Sequence, residues 1–563
     1  FYLYLPMHNY EIAEYFSLLA KLMDIHGENA FKIKSYSNAA YTLDRLNDPL
    51  DAMSPAQIAA IRGIGDALAQ KIVDLLATKK LQILEEYINK TPAGILEMLK
   101  IKGLGPKKII TIWKELGIES IGELLYACEE NRLINYKGFG AKTQQSIQEA
   151  LNYYLQNQGS FLYQQVQEIV AQIENALSLQ FPNELHLVSG HFKRQMETLD
   201  FLDIVTTTNN QTLQVWLEEK GFILDHSNTF LSCKGPDQFE LRWHIVDKAQ
   251  FYIQDFSLAC SSEFWLAWQA FPNFDATKAF ESELAIFEQV QIPFIPAAQR
   301  EDPAIIQQAK TKGLNRPIQS SDIKGIIHSH STWSDGLHTI EQMALAAKEK
   351  GFEYLVISDH SKSAFYANGL QEDRIRAQHK EIDALNKKLA PFVIFKSIES
   401  DILNDGSLDY PDEILALFDI VIASVHSNLK MTEEKAMMRL MNAIENPYTS
   451  ILGHPTGRLL LSRKGYPINH EAIIMACAAN NVVIELNAHP RRLDMDWRYI
   501  HQAMQEDVLI SINPDAHAID GFEDCAYGVL VAQKAGLTAA QNLSSFSLAE
   551  MMEFISYQQA KRG

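Results

Sequence analysis

The stretch Gly325-Ile-Ile-His328-Ser-His330-Ser-Thr-Trp-Ser-Asp335-Gly336 ends a short apolar run with two histidines and an aspartate. The same arrangement recurs through the second half of the chain, where further apolar runs lead to a histidine, a glutamate or an aspartate: His360, Glu399, His426, His454, Asp515 and His517. Burying so many polar side chains without partners would be costly. We therefore predict a barrel whose mouth holds a cluster of metal ions.

The nine candidate ligands combine imidazole and carboxylate groups, which suit zinc, manganese or iron. Side chains alternate along a strand, so His328 and His330 are expected to share one face, and Asp515 and His517 likewise. Glu399, a carboxylate among many imidazoles, is the natural bridge between two ions. A metal-bound hydroxide held near Glu399, His328 and His330 would be the nucleophile of a hydrolytic reaction, and the metals would stabilise the leaving oxygen.

The second half of the chain also shows a regular alternation of elements. From Ile323 onward, apolar runs of four to six residues alternate with amphipathic helical patterns such as Thr339 to Lys350 and Glu471 to Ala479. This alternation predicts parallel strands joined by helices. We count seven strand candidates, the sixth being Val482-Val-Ile-Glu-Leu-Asn487. A distorted seven-stranded β/α barrel is therefore expected over residues 323–563, with the ligands at the carboxyl ends of its strands.

Residues 7–150 show helical spacing of apolar residues, interrupted by three similar turns: Gly63-Ile-Gly65, Gly103-Leu-Gly105 and Gly138-Phe-Gly140. Such a turn before a helix exposes backbone N–H groups that bind a phosphate without reading its base. Basic residues follow the turns: Lys71, Lys107 with Lys108, and Lys142. We predict an all-α region whose helix-hairpin-helix motifs grip the DNA backbone. The alternative is three purely structural helix connectors.

Between these regions the patterns are mixed. Residues 155–298 contain strand-like segments, including Glu184-Leu-His-Leu-Val-Ser189 and Phe239 to Val246, among helical ones. This mixture predicts an α+β domain. Residues 299–322 contain Pro303 and Pro317 with few strong apolar runs, and are expected to form a linker.

Composition limits the class of protein. A chain of 563 residues is long enough for several domains. The formal net charge of −20 argues against a protein that coats nucleic acid by charge alone. Residues 1–150 are nearly neutral, with 17 Lys and Arg against 18 Asp and Glu, so almost all of the negative charge lies in the remainder. The first region is compatible with phosphate, and the acidic remainder with metal ions.

The cysteines and the amino terminus bear on location. The five cysteines lack CxxC spacing, which favours a reducing cytoplasm and offers no thiolate zinc site. No apolar run approaches the length of a membrane span. Phe1 to Pro6 is apolar but too short for a signal peptide, which makes Met7 a candidate start of the chain. We expect a cytoplasmic protein that does not enter membranes.

These motifs together resemble the bacterial family X DNA polymerases that carry a fused PHP (polymerase and histidinol phosphatase) domain. The resemblance lies near the amino terminus in Phe31 to Tyr41, and in the second half in Ile357-Ser-Asp-His-Ser361, Asp401 to Asp412 and Asn487 to Asp494. It implies that the nine candidate ligands hold up to three divalent ions, with manganese favoured. It also implies a DNA substrate with gaps, nicks or 3′ ends. Lys71 matches the place of a Schiff-base lysine in the family's eukaryotic relatives, although a contact with the DNA backbone is the simpler role.

The family's polymerase motif is altered in this chain. The family carries a Gly-Ser turn, a basic pair, Glu-Thr and then an Asp-x-Asp pair in its palm domain. The matching stretch is Gly190-His191-Phe-Lys193-Arg194-Gln-Met-Glu197-Thr-Leu-Asp200-Phe201-Leu-Asp203. The second aspartate is present as Asp203, but Phe201 stands at the first and His191 at the serine. A third family aspartate appears as Glu240.

Phenylalanine cannot ligate magnesium, and two-metal nucleotidyl transfer needs carboxylates on both ions. Asp200 is one residue out of register, which places it on the other face of a strand. We therefore predict a nucleotidyltransferase-like palm with a degenerate polymerase site, marked by Arg194, Asp203 and Glu240. Its DNA polymerase activity is expected to be lost or weak.

Other polar residues of the barrel receive more modest interpretations. Asp359 and Asp409 are expected to orient histidines. Asn487 and Arg492 are candidates for phosphate contacts at the mouth. Five histidines are interpreted as packed or surface residues rather than ligands: His338, His379, His470, His489 and His501.

The leading hypothesis for function is a metal-dependent phosphodiesterase, a 3′–5′ exonuclease that acts on DNA ends in repair, as a monomer. One alternative is a small-molecule phosphatase of the histidinol phosphatase kind. A second is an active family X polymerase that fills gaps, and a third is a DNA-binding scaffold without catalysis. Primer extension, phosphate-ester hydrolysis and nuclease assays separate these possibilities.

Overall fold

The computed structural model describes residues 7–129, 133, 136, 138–156, 159–225, 230–234, 239–461 and 464–562. The apolar segment from Phe1 to Pro6 lies outside the described residues, which begin at Met7, the candidate start of the chain. The chain divides into two compact units, Phe1–Gln158 and Gly159–Gly563. None of the described helices is long and apolar enough to cross a membrane.

The first unit is helical. Its helices are α1 (Asn9–Ile25), α2 (Ala30–Asp44), α3 (Pro55–Ala59), α4 (Asp66–Thr78), α5 (Gln82–Asn89), α6 (Ala93–Met98), α7 (Pro106–Ile110), α8 (Ile121–Glu129) and α9 (Ala141–Gln156). A π-helical turn, Thr111–Glu115, continues α7. The Glu11 side chain accepts a hydrogen bond from the His8 amide at 2.7 Å at the start of α1. The helical prediction for this region is confirmed.

The second unit begins with an α+β region. Its strands are β1 (Phe161–Leu162), β2 (His186–Val188), β3 (Thr198–Leu199), β4 (Phe201–Thr206), β5 (Ile223–Asp225), β6 (Leu231–Lys234) and β7 (Glu240–Ile245). Its helices are α10 (Tyr163–Gln180), α11 (Gly190–Lys193), α12 (Asn210–Glu219), α13 (Phe251–Leu258), α14 (Ser262–Gln269), α15 (Glu283–Val290) and α16 (Ala304–Lys312). Within the described residues, the main sheet has the order β2-β4-β7-β6-β5. Strands β4 and β7 are parallel and place Phe201 opposite Glu240 and Asp203 opposite Arg242.

The segment 299–322 is more ordered than its linker-like sequence indicates. It contains α16, and Pro303 caps the start of this helix, a place where proline is favoured over helix interiors. Arg300 is fully buried and its Nη1 donates to Glu283 Oε1 at 2.6 Å. Pro303 therefore marks the start of a helix within the segment that connects the two regions.

The remainder is a β/α barrel. Its strands are β8 (Gly325–Ser329), β9 (Tyr354–Ile357), β10 (Val393–Asp401), β11 (Ile420–Ser424), β12 (Ile451–Leu452), β13 (Val483–Asn487) and β14 (Ile510–Asn513). Its helices are α17 (Ile340–Glu349), α18 (Glu372–Leu389), α19 (Asp412–Leu415), α20 (Glu433–Glu445), α21 (His470–Asn480), α22 (Trp497–Gln505), α23 (Cys525–Lys534) and α24 (Leu548–Ala560). In the part of the chain that the structure describes, these seven strands are parallel and follow sequence order.

The barrel is nearly closed where its first and last strands approach each other. The His330 amide donates to the Ala516 carbonyl at 2.8 Å, and the Ala516 amide donates to the His328 carbonyl at 3.2 Å. Strands β8, β11 and β13 are buried along their whole length, as expected for parallel strands covered on both faces. The predicted seven-stranded β/α barrel is confirmed.

Candidate metal centre

All nine predicted ligands come together at the carboxyl ends of the barrel strands, and Glu399 of β10 lies at their centre. The side chain of Glu399 is fully buried. Imidazole nitrogens of five histidines lie within 4 Å of its carboxylate: His360 at 2.9 Å, His426 and His454 at 3.0 Å, His328 at 3.3 Å and His330 at 3.7 Å. One carboxylate therefore faces ligands from five other positions along the chain.

The remaining ligands extend the cluster to one side. His330 Nε2 lies 3.0 Å from Asp515 Oδ1, and His517 Nε2 lies 3.4 Å from Asp335 Oδ1. The ring of His330 stacks against those of His517 and His360, with centroid separations of 4.2 Å and 4.4 Å, and the latter two centroids lie 6.0 Å apart. The two neighbouring rings disfavour a proton on the buried His330, so the arrangement favours a neutral His330 ring that offers a lone pair.

Among the described residues, three groups place their ligand atoms within 4.8 Å of one another: His330, Asp335, His360 and His517; His328, His330, Glu399 and Asp515; and His360, Glu399 and His426. The groups share members, as expected for adjacent ions. The buried atoms His328 Nε2 and Glu399 Oε2 find no hydrogen-bond partner in the described part of the chain. Nitrogen and oxygen donors arranged in this way fit divalent ions such as manganese, zinc or iron.

Local backbone geometry, rather than simple strand alternation, brings the histidines of β8 together. His328 has a φ of 63°, and the pairing of β8 with β9 is irregular between Ile326 and Ser329. His330 lies just beyond the end of β8. Asp515 also follows its strand and has a φ of 54°. The alternation argument is therefore wrong in its mechanism, because a bulge and positive φ values re-aim these side chains.

Electrostatics keeps the carboxylates ionised and His330 neutral. Burial, together with the neighbouring His517 and His360, lowers the pKa of His330 to about 3. Burial alone would raise the pKa of Glu399, but His426, His328 and His360 hold it well below its usual value. Burial also opposes ionisation of Asp335, yet its hydrogen bond with His517 and the surrounding imidazoles lower its pKa to about 2. Glu399, Asp335 and His330 thus have the protonation states that metal ligands require. Against the effect of burial, neighbouring carboxylates raise the pKa of His426 to about 10 and that of His517 to about 9, so a bound ion would displace a proton from each of these rings.

Two carboxylates that the sequence analysis does not assign to the site hold the outer nitrogens of the ligand rings. Glu485 of β13 is fully buried, and its Oε2 lies 2.6 Å from His328 Nδ1. Asp401 of β10 places Oδ1 2.5 Å from His426 Nδ1. Such partners fix the tautomer and the orientation of a ligand ring. A sequence signal exists for both: Glu485 interrupts an apolar strand, and Asp401 lies two residues after Glu399.

Asp359 and Asp409 act on loops rather than on histidine rings, which corrects the expected role. Asp359 accepts hydrogen bonds from the Ser331 hydroxyl at 2.7 Å and the Gln378 amide at 2.6 Å. Asp409 accepts from the amide and the hydroxyl of Ser363, both at 2.6 Å. These bonds fix the segments that follow His330 and His360. Aspartate side chains commonly accept hydrogen bonds from nearby backbone amides, which explains why both residues stabilise loops.

Residues at the rim complete the centre. Asn487 donates to Asp515 Oδ2 at 3.1 Å, and Arg492 Nε lies 3.9 Å from the same oxygen. The Arg492 side chain is 22% exposed, so its guanidinium borders both the cluster and solvent. The other barrel histidines have local contacts: His338 with Ile519, His379 with Phe418, His470 with Tyr499, His489 with Arg491 and His501 with Gln505.

The three glycine turns of the first unit share one geometry. The first glycines, Gly63, Gly103 and Gly138, have φ values of 93°, 89° and 93°, a region that favours glycine. The middle residues Ile64, Leu104 and Phe139 are buried. Gly65 and Gly105 each cap the start of a helix, with nearly equal backbone angles. An added Cβ would meet no heavy atom within 4 Å at Gly65, Gly103, Gly105, Gly138 or Gly140, so the turns are open on their outer side.

The lysines near these turns lie on the following helices. Lys107 and Lys142 are exposed, whereas Lys71 and Lys108 are half-buried. Lys108 Nζ donates to the Gly103 carbonyl at 2.9 Å and so lies against its own turn. The arrangement places positive charge beside open backbone amides, which is typical of phosphate-binding sites.

Comparisons with known proteins agree with these observations. A model described as a helix-hairpin-helix domain matches residues 7–81, and one described as a SAM-like helix-hairpin-helix tandem matches residues 95–152. The DNA polymerase/3′-5′ exonuclease PolX of Bacillus subtilis is 32% identical, over 98% of this chain and 99% of the relative. The chain belongs to the PolX family.

Other relatives match only part of the chain. A probable phosphatase of Thermoanaerobacter pseudethanolicus is 28% identical over 42% of this chain and 96% of its own length. A probable phosphatase of Acetivibrio thermocellus is 29% identical over 29% of this chain and 64% of its own length. These relatives resemble the carboxyl-terminal part. The barrel fold is therefore shared with PolX proteins and with smaller proteins named as phosphatases.

In the palm region, the structure shows what surrounds the residues predicted to mark a degenerate polymerase site. The guanidinium of Arg242 lies 3.3 Å from the centre of the Phe201 ring and is paired with Glu240 at 2.9 Å. Asp203 Oδ1 lies 2.8 Å from His244 Nε2. Asp200 accepts a hydrogen bond from the Ser160 hydroxyl. Asp200, Asp203 and Glu240 are thus each engaged with a neighbouring side chain of the protein itself.

The basic pair of the palm motif is also engaged internally. Lys193 Nζ lies 2.6 Å from Asp255 Oδ2 and 3.2 Å from Glu283 Oε1. Arg194 donates to both oxygens of Glu301, at 3.0 Å and 2.7 Å. Both cations of the predicted motif are therefore paired with carboxylates inside the protein.

Proposed function

We propose that this PolX-family chain is a metal-dependent phosphodiesterase that removes nucleotides from DNA 3′ ends during repair, with the barrel as its active site. The observation that carries the proposal is the buried Glu399 carboxylate, surrounded by five imidazoles at the mouth of the barrel. The family relationship supports an exonuclease, because the Bacillus subtilis relative is named as a DNA polymerase/3′-5′ exonuclease.

The nine ligands would hold up to three divalent ions, with manganese favoured: His328, His330, Asp335, His360, Glu399, His426, His454, Asp515 and His517. Such ions would supply an activated water and stabilise the leaving oxygen. Glu485 and Asp401 hold His328 and His426 in fixed orientations. Arg492 borders the cluster and solvent, and would bind a phosphate of the entering strand.

The glycine turns would hold the DNA backbone, and the proposed contacts are Gly63, Gly65, Lys71, Gly103, Gly105, Lys107, Gly138 and Gly140. Their open backbone amides and nearby lysines support this role. Gapped, nicked or 3′-ended DNA would be the substrate, because backbone contacts read no sequence and leave a strand end free to enter the barrel.

The palm is proposed to have lost, or nearly lost, polymerase activity. Phe201 under Arg242 and Asp203 beside His244 support this, because two-metal transfer needs free carboxylates on both ions. The internal pairing of Arg194 with Glu301 supports it further.

The proposal is tested by digestion of 3′-recessed and single-stranded DNA with manganese. A 5′ label reveals the polarity of cleavage, because removal from the 3′ end shortens the labelled strand stepwise. Glu399→Ala is expected to reduce digestion to background and to lower the bound metal content. Glu433→Ala is the matched control, since this exposed glutamate begins α20 away from the cluster. Equal digestion by both variants, or none by the wild type, would contradict the proposal.

A second candidate function is hydrolysis of small phosphate monoesters, which the barrel's similarity to proteins named as probable phosphatases supports. The same preparations would be supplied with 4-nitrophenyl phosphate and with oligonucleotides. Turnover of the monoester without cleavage of DNA would favour this candidate over the exonuclease.

A further inference from the structure

A single arginine in the barrel is the centre of a buried polar network that reaches into the palm. Arg458 lies four residues after the ligand His454, and its side chain is 14% exposed. Its guanidinium donates hydrogen bonds to four acceptors: the carboxylates of Glu197 and Asp496 and the carbonyls of Arg492 and Leu493. Glu197 belongs to the palm and the other three acceptors to the loop after β13.

This network fixes the loop that carries Arg492. Arg458 Nε donates to the Arg492 carbonyl at 3.0 Å, and Leu460 donates to the Arg491 carbonyl at 2.6 Å. On the other side, the Thr456 amide donates to Asp494 Oδ2 at 3.0 Å. The loop after His454 is therefore bonded to the loop after β13 on both sides of Arg492.

Glu197 supplies a negative charge that compensates the positive charge of Arg458. The glutamate lies immediately before β3, is 9% exposed, and pairs with Arg458 inside the second unit. Removal of one member of a buried ion pair leaves the other charge uncompensated and is strongly unfavourable. Without Glu197, Arg458 would shift toward Asp496 or toward solvent, and its bonds to the Arg492 and Leu493 carbonyls would weaken.

We propose that Glu197 is a positioning residue for the exonuclease: through Arg458 it holds Arg492 beside the metal centre, where Arg492 binds a phosphate of the DNA strand. The inference rests on the proposed exonuclease function. It gives the palm a role in the barrel's reaction that is separate from nucleotide addition. The palm thereby contributes to the binding of DNA in the barrel without contacting the DNA there.

The test is a double-mutant cycle in the full-length protein. Glu197→Ala and Arg492→Ala are each expected to raise the KM for a 3′-recessed oligonucleotide about ten-fold, the loss of one charged hydrogen bond, with kcat and metal content little changed. If Glu197 acts through Arg492, the double variant will match Arg492→Ala alone. Independent, multiplicative effects of about a hundred-fold would overturn the proposal, and so would a wild-type KM in Glu197→Ala.

The matched control is Glu301→Gln, because Glu301 also forms a buried ion pair between the palm and the barrel. It binds Arg194 at 2.7 Å and Lys534 at 2.8 Å. Lys534 lies over the ring of Trp497 at the start of α22, but within the described residues neither cation donates a hydrogen bond to the segment 487–496. This variant is expected to keep the wild-type KM. Glu197→Gln, which preserves the shape of the side chain, guards against misfolding and is expected to raise KM as well. An equal rise in KM for Glu301→Gln and Glu197→Gln would indicate general loosening of the interface and overturn the specific role.

A second readout does not require activity. Hydrogen–deuterium exchange in the segment 487–496 is expected to increase in Glu197→Gln and to remain unchanged in Glu301→Gln. Unchanged exchange in Glu197→Gln would contradict the positioning role even if the nuclease were active. A wild type without nuclease activity but with the expected exchange would instead contradict the proposed function alone.

Discussion

The palm and the barrel both place acidic residues on parallel strands, but they neutralise these residues in opposite ways. In the palm, Asp203 pairs with His244 and Glu240 with Arg242, so protein cations and imidazole satisfy each carboxylate. In the barrel, Glu399 faces several imidazoles that could bind metal ions, and Glu399 Oε2 finds no hydrogen-bond partner within the described residues. A carboxylate that is paired with a fixed cation such as Arg242 is not free to bind a metal ion. A carboxylate among clustered histidines can bind one together with them.

Metal removal gives the largest expected effect and tests the barrel side of this comparison. Dialysis against a chelator should abolish DNA digestion, because the ligands alone offer no positive charge for the leaving oxygen. Addition of manganese should restore digestion, and metal analysis of the restored protein reports the number of ions. Full activity in the metal-free protein would mean that the histidine cluster is not the active site.

Glu485→Gln tests whether the carboxylate that holds the ligand His328 contributes to metal binding in the barrel. The amide keeps the shape of the side chain but loses the charge that faces His328 Nδ1 at 2.6 Å. Metal affinity should fall about ten- to a hundred-fold, as for other partners of ligand histidines. Competition with a fluorescent chelator measures this change, with Glu433→Gln as the control. Equal metal affinity in both variants would show that Glu485 does not contribute to metal binding.

Gly103→Ala and Gly105→Ala form a matched pair within one turn. Gly103 has a φ of 89°, so alanine there should cost about 1–2 kcal/mol of folding free energy in the first unit. Gly105 has a φ of −85° and open space beside it, so alanine there should cost less, about 0.5 kcal/mol for the loss of a capping glycine. Both should weaken DNA binding a few-fold, as measured by fluorescence anisotropy and thermal denaturation. Unchanged DNA binding in both variants would support the reading of these turns as helix connectors.

Phe201→Asp gives the smallest expected effect and tests the palm side. A carboxylate at this position would face Asp203, yet Arg242, Lys193 and Arg194 would keep their present partners. Primer extension with manganese and four dNTPs should remain at the wild-type background. Strong extension by this variant would mean that the loss of one aspartate, rather than the whole rearranged site, silences the palm. Extension by the wild type would show that Asp203 still supports transfer.

The sequence predicts the barrel and the clustering of polar residues at its strand ends well, because both depend on local patterns. An apolar run of a few residues that leads to His360, Glu399 or His426 predicts both a strand and the position of its carboxyl end. The glycine turns are equally local, since a positive φ requires little beyond glycine itself.

Features that depend on distant partners are less accessible to sequence reasoning. The Glu197–Arg458 pair joins residues 261 positions apart, and nothing near Glu197 announces its partner. The bulge at His328 arises where β8 meets β9, so alternation within β8 alone misplaces the cause. Arg300 is buried in a segment rich in proline because Glu283 compensates its charge. In each case the decisive interaction is tertiary.

The near-closure of the barrel between β8 and β14 has a consequence for biosynthesis. His330 and Asp515 meet across 185 positions of sequence, and the backbone bonds at Ala516 join the segments that carry them. A ribosome-bound chain that lacks β14 therefore holds an incomplete set of ligands. Nuclease capability would arise only after the last strand emerges and docks, so a half-made polypeptide would pose little danger to the genome that encodes it.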